Sequence, residues 1–145
     1  DLMPTLLDVI GATVPRSCDG QSLRPFLTGT DPDHWRSEVH WEFDFRGDYE
    51  NSINRFKELG LSIDQCSLAV IRDQKYKYVH FNSFKPLLFD LSNDPHQFMN
   101  ISNDPSYQHI VSKYSQKLLS WHMDYPNRSL SFFQATAEGT KERRD

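Results

Sequence analysis

The apolar positions of this chain change period along its length, and each period predicts an element. In EVHWEFDFR, residues 38–46, Glu38, His40, Glu42, Asp44 and Arg46 fall on one parity and Val39, Trp41, Phe43 and Phe45 on the other. Side chains alternate across a strand, so the spacing predicts a β-strand over 38–45 with one ionisable and one apolar face. CSLAVIRDQKYKYVHF predicts a β-hairpin. Its first arm is the apolar run Leu68 to Ile71, its turn is at Asp73-Gln74, and in its second arm Tyr76, Tyr78 and His80 oppose Lys77, Val79 and Phe81. PLLFDLSNDP predicts a further short strand ended by an Asn-Asp-Pro turn.

From 105 to 123 the period lengthens. Tyr107, Ile110, Val111, Tyr114, Leu118 and Trp121 recur at three and four, an amphipathic helical stripe bracketed by Pro105 and Pro126. Near the start, residues 3–10 predict a short helix with Pro4 in its first turn and Gly11 at its stop. SLRPFL predicts a second, capped by Ser22 and stopped by Gly29. Residues 46–64 are polar and predict a surface insertion with a short helix at Ile53 to Leu59, and the tail from 125 has no firm period.

These elements make an α+β layer: a small antiparallel sheet of three to four strands packed against one long C-terminal amphipathic helix. The apolar face of strand 38–45, with Val39, Trp41, Phe43 and Phe45, is expected in the core under that helix. The division expected along the chain is 1–36, 37–124 and a tail, 125–145.

Composition narrows the function classes. The 145 residues are 37% hydrophobic and 13% aromatic, too rich in rings for a disordered segment. A net charge of −4 excludes the basic excess that a nucleic-acid footprint needs. No apolar run reaches the ~18 residues of a membrane span. The start lacks both a basic n-region and a Met, so the chain is expected to be a piece of something longer. Cys18 and Cys66 stand in unlike contexts, which favours two reduced thiols and a cytoplasmic setting over a disulfide. The N-x-S tripeptides at Asn100 and Asn127 matter only in a secretory compartment.

Four chemical readings of the charged row 38–46 stand side by side: a metal site, an acid/base row, only the solvated side of a sheet, or a polar wall beside an active site that other residues build. His40 and Glu42 could converge on one ion, yet a site needs three or four ligands and the sequence nominates no others. Asp33-His34 follows Thr30-Asp31-Pro32 and reads as turn chemistry. The six histidines show no H-x-x-x-H or H-E-x-x-H spacing, and there is no G-x-S-x-G, P-loop or G-x-G-x-x-G. Lys75 and Lys77, between Tyr76 and Tyr78, read as edge-strand lysines that discourage pairing. On its residues alone the chain holds no catalytic centre.

DLMPTLLDVIGATVP, CDGQSLRPFLTG, WRSEVHWEFDFR, YKYVHF, PLLFDLSNDPHQFMNIS and YSQKLLSW follow one another in an order that resembles the C-terminal part of the sulfatase family of the alkaline phosphatase superfamily. The block from His40 to Arg46 resembles its arylsulfatase/phosphonate monoester hydrolase branch. The resemblance implies a C-terminal antiparallel-sheet-plus-helix domain over 37–124, preceded in 1–36 by a remnant helix of the large α/β domain and its connecting loops.

The resemblance further implies a parent hydrolase of sulfuric or phosphonate (phosphoric) monoesters that uses a formylglycine, made from the Cys of C-x-P-S-R, beside a divalent metal such as calcium or manganese. Cys18 is followed by Asp-Gly-Gln and Cys66 by Ser-Leu-Ala, so neither is that site, and no cofactor or metal is assigned to this chain. The expected role is structural and cleft-supporting, with His40, Glu42, Asp44 and Arg46 as cleft-lining candidates. Expected partners are the N-terminal catalytic domain, a second copy in a homo-oligomer, and the small-molecule ester of the parent; nucleic acid and membrane are not expected. The alternative is a stand-alone ligand- or ion-binding module or an oligomerisation module.

Overall fold

The computed structural model describes residues 1–32, 34–44, 57–62, 65–124, 133–136 and 139–142. The chain divides into two compact units, residues 36–121 and residues 1–35 with 122–145.

The first unit is built on four antiparallel strands, β1 (Val39–Asp44), β2 (Ser67–Arg72), β3 (Tyr76–Phe81) and β4 (Leu87–Asp90), in the order β1-β2-β3-β4. The β2–β3 turn closes through Asp73. Its Oδ1 accepts from the amides of Lys75 and Tyr76, each at 2.8 Å, and its own amide donates to Tyr76 O at 3.0 Å. The outer edge of β4 is satisfied by the loop beyond it: Leu88 N donates to Asn100 Oδ1 at 3.0 Å, and Ile101 N donates to Leu88 O at 2.9 Å. An otherwise open edge is thereby closed to other chains.

A 3-10 turn, Pro105–Tyr107, with Asp104 accepting from Ser106 N at 2.8 Å, leads into the helix α3, Gln108–Asp124. Tyr114 and Leu118 of α3 meet Ala69, Ile71, Tyr76, Tyr78 and Leu88 of the sheet, with Ile101, Tyr107, Ile110, Val111 and Trp121 around them. The stripe read at helical spacing is the stripe that is buried, and the α+β layer with its four-stranded antiparallel sheet and C-terminal helix is the fold.

The faces of β1 are reversed from the expectation. Opposed residues of neighbouring strands share a face, and His40 opposes Ile71, which opposes Tyr78, which opposes Leu88. The ionisable parity therefore lies on the helix side. Val39, Trp41 and Phe43 oppose Arg72, Val70 and Leu68 on the other side, and they are 43%, 39% and 54% exposed rather than buried; Phe45 lies outside the described residues. The physical reason is in β2, which is apolar on both faces, so register and not the parity of β1 decides which side the helix takes. A second correction concerns Lys77: β3 is an inner strand, so this lysine does not guard an edge.

In the other unit, α1 (Leu2–Val9) stops where Gly11 takes φ +74. The amides of Ile10, Gly11 and Ala12 donate back to Leu6 O, Asp8 O and Leu7 O. Gly20 passes so close to the chain start that a Cβ there would lie 2.3 Å from Asp1 N. The short helix α2 spans Arg24–Leu27. Its N-cap is Leu23; Ser22, the residue expected there, accepts from Arg24 N at 3.2 Å and donates to Asp8 Oδ2 at 2.7 Å. Arg24 Nη1 completes the cluster on Asp8 Oδ1 at 3.0 Å. The tail, for which no period was read, contains the antiparallel pair β5 (Phe133–Thr136) and β6 (Gly139–Glu142). The expected helix at Ile53 to Leu59 falls largely outside the described residues.

Candidate functional site

The charged row separates into two parts. Its first two members are enclosed beneath α3: Lys117 Nζ donates to Glu38 Oε2, and the His40 ring stacks on Trp121 with centroids 4.8 Å apart and planes 4° from parallel. The His40 side chain is 12% exposed, and its Nε2 stands 3.5 Å from Glu38 Oε1 without a hydrogen bond. Burial lowers the His40 pKa below its ordinary value; Glu38 opposes the shift and the Lys117 ammonium adds to it. His40 is thus a neutral aromatic plate between strand and helix. Glu42 is exposed, Asp44 ends β1, and Arg46 lies outside the described residues, as does Asp33; His34 is exposed.

Two further polar links fasten α3 to the β2–β3 hairpin, and neither was apparent from spacing. Tyr78 Oη shares a hydrogen bond with Ser115 Oγ at 2.8 Å and lies 3.2 Å from His80 Nδ1. Tyr114 Oη donates to Asp73 Oδ2. Burial, and then the Asp73 carboxylate, raise the Tyr114 pKa well above its ordinary value, so the hydroxyl remains a donor. Burial alone would raise Asp73, but hydrogen bonds from Tyr114 and the turn amides outweigh it and leave its pKa lowered.

Among the described residues no three His, Cys, Asp or Glu side chains converge on a point a metal could occupy. The donors present do not fit a divalent ion, because Glu38 is engaged by Lys117 and His40 is stacked on Trp121. Both cysteines are free thiols; Cys66 is buried, its Sγ donating to Ser62 O at 3.3 Å. No helix among the described residues is long and apolar enough to cross a membrane.

The opposite face of the sheet is the most distinctive surface of this unit. Val70 and Val79 lie at its centre and are buried, while Trp41 and Phe43 stand beside them, exposed. The Trp41 ring reaches across β2, so that Lys77 Nζ lies 5.8 Å from its centroid and 6.0 Å from that of Phe89. The same ammonium donates to Gln97 Oε1 at 2.8 Å, and Gln97 sits in a left-handed backbone conformation at φ 60 in the loop after β4. One cation thereby ties β1, β3, β4 and that loop together.

The family model described as N-sulphoglucosamine sulphohydrolase, C-terminal, matches residues 1–124. The multifunctional alkaline phosphatase superfamily protein PehA of Trinickia caryophylli is 46% identical over 147 residues, covering 99% of this chain and 27% of that protein. The crystal structure of the phosphonate monoester hydrolase of Agrobacterium radiobacter superposes with a TM-score of 0.81 at 39% identity, over 100% of this chain and 28% of that one. Human arylsulfatase K is 30% identical over 142 residues, covering 95% of this chain and 24% of that protein. The chain thus spans about a quarter of the length of the curated relatives it matches. It belongs to the family of sulphohydrolase C-terminal domains, as the C-terminal domain found in sulfatases and phosphonate monoester hydrolases of the alkaline phosphatase superfamily.

Proposed function

We propose that the chain is the supporting C-terminal domain of a metal-dependent hydrolase of phosphonate or sulfuric monoesters, and that it contributes no reacting group of its own. The observation that carries this reading is the match over 99% of the chain to only 27% of a larger superfamily member, in a piece that lacks the C-x-P-S-R nucleophile segment. Identities of 46% and 39% to PehA and to a phosphonate monoester hydrolase, against 30% to arylsulfatase K, favour the phosphonate branch. In the parent, the remaining portion would hold the formylglycine and a calcium or manganese ion, which would supply the nucleophile and the charge stabilisation.

The cleft-lining role belongs to the second part of the row, Glu42 with Asp44 and Arg46, because Glu42 shares the parity of His40 and is exposed; His40 would act through β1 by holding it against α3. The two free cysteines suit a cytoplasmic enzyme, and a homo-oligomer is the expected assembly. The test is an assay of the full-length gene product and of residues 1–145 with aryl phosphonate monoesters and aryl sulfates. Turnover by the former and none by the latter is expected. Turnover by the 145-residue chain, or none by the full-length product loaded with calcium or manganese, would overturn it. Within an active product, Glu42→Gln should raise KM more than it lowers kcat.

A further inference from the structure

We infer that Glu38, His40, Lys117 and Trp121 form a proton-released latch between β1 and α3, in which acid frees β1, and Glu42 on it, from the helix. The inference rests on the functional reading above, where Glu42 lines the cleft, and adds how that wall is regulated. Among the described residues β1 ends the sheet and pairs with β2 alone. On its helix side it is fastened by two contacts one turn apart on α3: the Glu38 carboxylate on Lys117 and the His40 ring on Trp121.

The latch has an unused position. His40 Nε2 is buried without a hydrogen bond, 3.5 Å from Glu38 Oε1. That gap exceeds the about 2.7–3.2 Å of a hydrogen bond. An imidazolium would close it, because a charge-assisted bond to a carboxylate is shorter and stronger than a neutral one. One enclosed carboxylate would then serve two cations that repel each other. Lys117 is the one that leaves: its side chain is 34% exposed against 12% for His40, so its ammonium reaches water where the imidazolium does not. The bond from Lys117 to Glu38 joins helix to strand, whereas a bond from His40 to Glu38 stays within one stretch of chain. The proton therefore exchanges a tie between elements for one that fastens nothing.

The other groups around the ring leave this choice to Glu38 and Lys117. β2 presents Ile71 opposite His40, and Tyr78 of β3 lies beyond it with its hydroxyl engaged by Ser115 and His80. Glu42 shares the face of β1 and is exposed. On α3, Tyr114 is bonded to Asp73 of the β2–β3 turn, whose carboxylate also feels Lys117. Burial opposes the His40 proton most, Glu38 favours it and Lys117 opposes it. The closed latch thus binds the proton less well than the open one, and it is stable above the ordinary histidine value and loosened below it.

The experiment is hydrogen exchange of the full-length gene product at pH 7.5 and pH 5.5, read peptide by peptide by mass spectrometry and corrected for the intrinsic rate at each pH. The open form takes its proton near 6.5, so local opening of β1 should rise several-fold at pH 5.5, and by no more than about tenfold, while β3 and β4 keep their protection. His40→Phe, which keeps a ring on Trp121, should abolish the rise. Lys117→Met should leave β1 in fast exchange at both pH values. No rise, a rise shared equally by β1, β3 and β4, or a rise that persists in His40→Phe would overturn the inference. So would Lys117→Met with the parent's protection at pH 7.5, an arm that does not depend on His40→Phe folding. In an active product, KM for an aryl phosphonate monoester should increase over the same interval and stay level in His40→Phe; the same increase in both would defeat the regulation. An inactive product whose β1 opens in acid defeats the proposed activity alone, and an active product whose β1 stays protected at pH 5.5 defeats the latch alone.

Discussion

His40 has its stack on Trp121 to lose and no hydrogen bond at Nε2 to defend, which makes its charge state matter. Glu38, Lys117 and Trp121 surround the ring, and burial holds its pKa below 6.5. A histidine whose folded pKa is depressed takes up its proton in the unfolded chain first. Its contribution is therefore fully present above pH 6.5 and is lost as pH falls from 6.5 toward the lowered value. The urea midpoint should fall between pH 7.5 and pH 5.5, and His40→Phe should flatten that part of the profile; an unchanged slope in the variant would exclude His40 as its source. Tyr114 makes the opposite kind of contribution, a donor hydrogen bond to an ionised acceptor. Tyr114→Phe keeps the ring and deletes that bond, and should cost about 1.5–3 kcal/mol in equilibrium unfolding at neutral pH. It should also raise the pKa of Asp73, which NMR titration of that carboxyl would read directly. Neither residue was identifiable as a fastener from the sequence, because their partners stand 41 and 81 positions away. Burial was readable for Tyr114 from its place in the stripe; its hydrogen bond was not.

At the scale of elements, periodicity was a reliable guide to what forms and a poor one to which side faces in. The four strands and the long helix lie where the alternating and three-four patterns put them, since each pattern depends only on local geometry. The face of β1 depends instead on register with β2, whose Leu68-Ala69-Val70-Ile71 run is apolar on both sides. The short β5–β6 pair escaped for a related reason: four-residue strands are too brief to establish an alternation. Asn100 has a structural role that its tripeptide does not signal. Its tripeptide matches a glycosylation acceptor, yet its side-chain carbonyl accepts from Leu88 N and Ser102 N, both at 3.0 Å, and so finishes the edge of β4. Asn100→Ala leaves the Leu88 amide without that acceptor and should destabilise by about 1–3 kcal/mol, with hydrogen exchange of Leu88 accelerated before that of Ile71. Leu118→Ala opens a void in the centre of the helix–sheet layer, where Leu118 is buried beside Tyr114 and Ile71, and should cost about 2–5 kcal/mol by the same measurement.

For the whole molecule, the sequence carried the family through segments that are structural, and it carried the absence of the nucleophile, but it could not disclose a surface made by strands that lie far apart in the chain. Trp41 and Phe89 are 48 positions apart and are brought to one ammonium only by the order β1-β2-β3-β4. Leu6, Ile10 and Phe26 are exposed in their own unit as well. Apolar surface of this extent is not neutral in water: at about 25 cal/mol per Å², removing even part of it from solvent competes with the entropy of association. The 145-residue chain by itself should therefore self-associate, its sedimentation mass rising above 17.0 kDa as concentration increases. Trp41→Ser with Phe43→Ser should shift that rise to higher concentration, because both substitutions lower the apolar area without touching the buried layer under α3. A mass fixed at the monomer value over the whole concentration range would show that the aromatic face is tolerated by water.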